Sequence, residues 1–206
     1  MLMDPYITGK LFEYIRAVRD LSMRFAIPSI SEEDGFVLQS MAYAYASRAD
    51  KGLLVLDLGA GIGYSTLWLV AGIAPICESR GIACKVVAVE QDKIRASYAR
   101  RVLGNLPTKS VEIEVVEMNA IKYLEKLGSC EVDIAFVDID KNEYLHALEL
   151  LAHKLRPHGI ALFHNAFVPR PPRTFFEHVS RQPWIPVIIP TQMGVLGAVK
   201  NTHACT

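Results

Sequence analysis

The chain has 206 residues, 51% of them apolar and 21% charged; such a composition builds a sizeable core, suits one ordinary domain and excludes global disorder. Lys and Arg total 22 against 22 Asp and Glu, and zero net charge argues against a broad basic face for nucleic acid or an anionic membrane. The cysteines Cys77, Cys84, Cys130 and Cys205 show no CxxC spacing, which excludes a zinc ribbon or dithiol motif and reads as reduced, buried thiols in a cytoplasmic protein.

The opening segment, MLMDPYITGK, lacks the basic region and apolar run of a secretion signal. Over residues 6–26, Leu11, Phe12, Ile15, Val18 and Leu21 recur at helical spacing and predict an amphipathic helix. Ser31 ahead of Glu32, Glu33 and Asp34 reads as the cap of a second helix reaching about Ser47. Residues 1–47 are therefore expected to form a helical segment and 48–206 an α/β core, both within a single domain. Leu58 to Cys77 carries no charge, but Gly59, Gly61, Gly63 and Pro75 leave its helical part far short of the ~20 residues a membrane span needs. A buried helix over about 65–74 is the expectation.

Apolar runs at 53–58, 85–90, 111–116, 134–137 and 160–163 alternate with helical patterns at 92–103, 120–127 and 142–155. Runs apolar on both faces, alternating with helices, require a mostly parallel sheet covered on both sides. Segments 186–190 and 196–199 complete seven strands as an antiparallel closing pair. Pro169, Pro171 and Pro172 mark a surface loop.

Between the first strand and its helix lies Asp57-Leu58-Gly59-Ala60-Gly61-Ile62-Gly63-Tyr64-Ser65. Glycines admit close approach of a ligand to the backbone, and the helix that follows offers unpaired N–H groups. The spacing is GxGxG, not the GxGxxG of dinucleotide sites, and an aspartate precedes it. That acid repels a pyrophosphate and suits a cation. Glu90 ends the next strand, where a carboxylate can accept from both hydroxyls of a ribose.

VLDLGAGIGYST followed by VVAVEQD resembles the first motifs of the class I S-adenosylmethionine (SAM)-dependent methyltransferases. With IAFVDIDKNEYL, the pair His164-Asn165 and the helix start Ser31-Glu32-Glu33-Asp34-Gly35, the order is similar to the catechol and caffeoyl-CoA O-methyltransferase family over roughly residues 28–199. The resemblance implies a Rossmann-like class I methyltransferase fold, SAM as cofactor and a small, aromatic hydroxyl acceptor. It implies donor contacts from Asp57, Gly59, Gly61, Ser65, Glu90, Asn119, Ala120 and Asp138. It assigns Asp138, His164 and Asn165 to a divalent metal and Lys141 to catalysis. A phenol is mostly protonated at neutral pH, and a cation beside its oxygen favours the reactive, deprotonated form. A homodimer is also implied.

The family has aspartate where this chain has His164. Imidazole suits manganese, iron, cobalt, nickel or zinc better than magnesium, so either the metal differs or the site is weakened; His164 is alternatively the general base itself. The loop after Asn165 is short, with Phe167 a candidate for the missing tryptophan wall, and Gln192-Met193-Gly194 replaces an acidic residue before the glycine. Asp140 is expected to cap the next helix, not to bind metal. The remaining histidines, His146, His153, His158, His178 and His203, are expected at the surface, and Trp68, Tyr43 and Tyr45 between helices. Competing readings are a tRNA methyltransferase of the same fold, using a basic face with Arg170 and Arg173, a nicotinamide-dependent oxidoreductase, or a cofactor-binding protein without catalysis.

Overall fold

The first parallel strand, β1 (Leu53–Leu58), is buried along nearly its whole length, as a strand covered on both faces must be. The computed structural model describes residues 5–106, 110–202 and 205. Around β1 the described strands are β2 (Cys84–Glu90), β3 (Val111–Glu117), β4 (Val132–Val137), β5 (Leu155–Phe163), β6 (Trp184–Ile189) and β7 (Val195–Lys200). Their order is β3-β2-β1-β4-β5-β7-β6. The first five run parallel, and β7 is antiparallel to both β5 and β6. This is the expected mostly parallel sheet with an antiparallel closing strand.

The helices are α1 (Pro5–Arg24), α2 (Glu32–Ala46), α3 (Tyr64–Arg80), α4 (Lys93–Leu103), α5 (Ala120–Lys126), α6 (Tyr144–Lys154) and α7 (Arg173–Val179). Side chains alternate across a strand, and the core divides accordingly. Val55, Val86, Ala88, Ile134 and Phe136 face a cluster with residues of α1, α2, α3 and α4. Leu56, Leu58, Val87, Val89, Ala135 and Val137 face another with α5, α6 and α7. Trp68 packs edge-on to Phe12, Phe36 and Tyr64 as expected of a helix-packing residue. Tyr43 is half exposed, whereas Tyr45 donates to Asp133 at 3.3 Å.

Three expectations change. Helix α3 continues through Pro75 to Arg80 and ends on Gly81 in the left-handed region; a proline forfeits one N–H bond, and the apolar residues around it hold the helix together. Helix α7 follows the proline cluster, where no helical pattern was visible. Most plainly, the cysteines are paired and not free thiols. Cys77–Cys84 and Cys130–Cys205 are disulfides with Cα separations of 6.1 and 5.7 Å. The Gly81 turn brings the end of α3 back beside the start of β2. The cytoplasmic argument drawn from free thiols therefore falls away. No helix of the described residues is long and apolar enough to cross a membrane.

Candidate functional site

Strands β2 and β4 flank β1 on opposite sides, so the chain reverses its winding there, and a crevice opens at the carboxyl ends where open α/β sheets bind ligands. The crevice holds about 360 Å³ and is lined by Gly59, Gly61, Glu90, Asn119, Ala120 and Asp138, among others. A larger cavity, about 760 Å³, lies elsewhere, lined by Tyr45, Lys51, Leu53, Asp133 and Arg156. Leu53 begins β1 and Arg156 is the second residue of β5, so that cavity sits at the amino edge, away from the glycine turn.

The glycine turn is built by backbone geometry. Gly59 has φ +92°, and a side chain there would collide with the Asp138 carbonyl. Gly61 has φ +57° with only Ile27 at 4.0 Å from a would-be Cβ, so its face opens toward ligand. Glu90 ties the turn down: Oε2 accepts from Gly61 N–H at 2.9 Å and Oε1 from Asp92 N–H at 2.8 Å. Each carboxylate oxygen retains a second lone pair. Asn119 caps α5 by accepting from Lys122 N–H and donates to Gln91, placing Ala120 at the crevice edge.

Asp57 is fully buried beneath the turn. Its Oδ2 accepts from Ser65 at 2.8 Å and Thr66 at 2.5 Å, while Oδ1 has no partner. Burial pushes its carboxyl up to about 7, against the two hydroxyls and with repulsion from Asp138 and Glu90. A buried acid lacking one partner is poised for a cation. Because the folded pKa lies above the ordinary 3.8 of an aspartate, this group's stabilising contribution is present below 3.8 and lost as pH rises through 7. Asp57→Asn is expected to gain stability relative to wild type between pH 5 and pH 8, by on the order of 1–3 kcal/mol, in denaturant titrations at both values; equal differences at both would contradict the buried titration.

Asp138 joins the crevice to a second cluster. Lys141 Nζ donates to Asp138 Oδ1 at 2.9 Å, Ile139 O at 3.2 Å and Tyr144 Oη at 2.8 Å. All three hydrogens of an ammonium are thereby placed. The buried Tyr144 hydroxyl lies 3.0 Å from each of the carbonyls of Val137 and His164, tying the ends of β4 and β5. Asp140 caps the short turn Lys141–Glu143, accepting from Asn142 N–H, as expected.

His164 is 5% exposed and lies between two carboxylates. Nε2 is 3.1 Å from Asp34 Oδ2. Nδ1 is 3.3 Å from Asp138 Oδ2 but lacks hydrogen-bond alignment. Burial alone would lower the imidazole pKa, but Asp138 and Asp34 raise it to about 9. Burial likewise opposes ionisation of Asp34 and Asp138, yet their partners hold both below the usual carboxylate range.

The donor set fits a metal that accepts imidazole. A buried Nδ1 without an aligned partner faces a carboxylate oxygen, and its other nitrogen is held by a second carboxylate, the arrangement that orients metal-bound histidines. Asn165, in the left-handed region at φ +58°, donates from Nδ2 to Val168 O at 2.6 Å; the amide oxygen is the atom suited to a cation. Among the described residues no group of three or more His, Cys, Asp or Glu is arranged to hold a metal, so the set depends on that amide.

Three neighbours escaped sequence reading: Asp34, Thr191 and Tyr144. Asp34 carried the only signal, the Ser31-x-x-Asp34 capping spacing, which does form. Phe167 packs on Gly194, where a side chain would meet its ring, and its N–H donates to Met193 O at 2.9 Å. It is 41% exposed at the surface. Of the remaining histidines, His146, His153 and His158 are exposed and His178 is half-buried, while His203 lies outside the described residues.

The methyltransferase-domain family model matches residues 56–166, more than half of the chain. No curated protein matches it. Among solved structures, a methyltransferase from Geobacter sulfurreducens is 21% identical, with 98% of each chain covered and a TM-score of 0.74. An O-methyltransferase from Bacillus cereus in complex with SAH is 21% identical over 96% of each chain, with a TM-score of 0.72. An O-methyltransferase from Streptomyces achromogenes involved in tomaymycin synthesis, in complex with SAM, is 19% identical over 98% of this chain and 92% of its own, with a TM-score of 0.69. At these identities the likeness is one of fold.

Proposed function

The chain belongs to the methyltransferase-domain family, and from that premise we propose that it transfers a methyl group from SAM to a hydroxyl of a small, aromatic, catechol-like acceptor. One observation carries the reading: Asp138 lines the glycine-turn crevice and also anchors the Lys141–His164 cluster. Donor and acceptor chemistry thus meet at a single carboxylate.

In this reading the unpaired N–H groups at the start of α3 receive the donor's carboxylate. Asp57, Gly59, Gly61 and Ser65 surround its methionine portion, and Asp138 takes the amino group. Glu90 accepts from the ribose hydroxyls, while Asn119 and Ala120 border the adenine. The acceptor oxygen attacks in line: its bond to the methyl carbon forms as the carbon–sulfur bond breaks, the electron pair leaves with sulfur and the hydroxyl proton passes to bulk water. Asp138, His164 and Asn165 are the residues to hold a divalent ion, which when bound supplies polarisation of the acceptor hydroxyl. Lys141, with its hydrogens directed by Asp138, Ile139 and Tyr144, serves as a fixed positive charge that steadies the deprotonated oxygen.

Incubation with SAM and a panel of catechols, with products read by mass spectrometry, tests the reading. The expected product carries one methyl on oxygen. Chelator is expected to lower the rate, and manganese or cobalt to restore it better than magnesium. Methylation on nitrogen or carbon only, or a rate indifferent to chelator, contradicts the acceptor or the metal assignment respectively.

A further inference from the structure

Asp34 does two things with one carboxylate. Locally it completes the capping box of α2: Ser31 N–H and Oγ–H donate to its Oδ2 at 3.0 and 2.6 Å, and its own N–H donates to Ser31 Oγ at 3.1 Å. Across the molecule the same Oδ2 meets His164 Nε2 at 3.1 Å, and Oδ1 accepts from Thr191 Oγ1 at 2.5 Å. Thr191 Oγ1 in turn accepts from Gly194 N–H at 3.0 Å. Asp34 is 0% exposed. The capping box needs neither of the distant partners. Here the start of α2, the end of β5 and the turn before β7 converge on one buried anion.

An ionised carboxylate only accepts hydrogen bonds. Its partner nitrogen on His164 must therefore carry hydrogen, which leaves Nδ1 as the atom presented to Asp138. We propose that Asp34 is the positioning residue of the acceptor site, fixing the His164 ring with Nε2–H bound and Nδ1 turned to Asp138. The assignment rests on the functional reading above for its catalytic consequence, but its geometric content stands apart from the identity of the acceptor. Thr191 and Gly194 extend the same restraint to the turn against which Phe167 packs. One anion thus registers the ring with the loop beside it.

Asp34→Asn is nearly isosteric, and its amide oxygen can still accept from Ser31 N–H in the capping box. Its amide can present N–H to Nε2 and reverse the proton arrangement of the ring. Ser31→Ala is the control: it removes the cap hydroxyl and leaves the Asp34–His164 contact. In ¹⁵N-labelled wild type the His164 Nε2–H is expected as an exchange-protected imidazole signal. Asp34→Asn is expected to lose that signal and to lower kcat by roughly 10–100-fold, with SAM affinity within about twofold of wild type. Ser31→Ala is expected to lower Tm while keeping the signal and kcat. Retention of the Nε2–H signal in Asp34→Asn, or equal kcat losses in the two variants, overturns the proposal. If the chain proves to methylate something other than oxygen, the imidazole signal still decides the positioning role.

Discussion

Lys141→Met is expected to lower kcat for methyl transfer by roughly 10²–10³-fold, the cost of losing the positive charge that holds the acceptor oxygen in its deprotonated, reactive form. Affinity for SAM is expected to stay within about threefold. The separation follows from position. Lys141 Nζ is held by Asp138 Oδ1, Ile139 O and Tyr144 Oη, and Lys141 is not among the residues that line the glycine-turn crevice. Methionine fills similar volume and keeps the packing over the Tyr144 ring, whose centroid lies 4.7 Å from Nζ. Single-turnover rates with donor pre-bound separate chemistry from binding. A variant with unchanged single-turnover rate would remove Lys141 from the reaction; one that loses donor affinity in proportion to rate would move it to the donor site.

The second large effect concerns the donor. Glu90→Ala is expected to weaken SAM binding by roughly 1–3 kcal/mol, about 5–150-fold in Kd. Two causes act together. The proposed ribose hydroxyls lose their acceptor, and Gly61 N–H and Asp92 N–H lose theirs. Glu90 is 4% exposed, so water does not freely replace it. Glu90→Gln separates the causes, because its amide oxygen serves one backbone N–H and its nitrogen cannot accept. A Gln variant near wild-type stability but weakened for SAM supports the ribose contact. Unchanged SAM affinity in both variants contradicts it.

Much of this architecture is written in local pattern. β1 falls at Leu53–Leu58, where the apolar run lies, and Asp92 and Asn119 cap the helices that follow β2 and β3. These features depend on neighbours a few residues away, which a sequence displays. The Asp34–His164 contact spans 130 positions and joins α2 to the end of β5; no periodicity encodes it. Asp34 reads in sequence as a first-turn acid behind the Ser31 cap, which it is, and nothing local distinguishes such an acid facing solvent from one aimed at the site. The cysteine pairs are hidden for the same reason. Cys77 and Cys84 meet only because Gly81 turns the chain, and Cys130 meets Cys205 across 75 positions. Tyr144 looks like one more apolar position on its helix, and only the fold directs its hydroxyl to the carbonyls of Val137 and His164.

Calorimetric titration of the purified protein with SAM, and separately with NADH, weighs the central claim directly. A single SAM site that tightens as pH rises through 7, where Asp57 ionises to meet a cation, and no heat from NADH, is the result expected of a sulfonium donor seated at the glycine turn. Saturable NADH binding with no heat from SAM would contradict it.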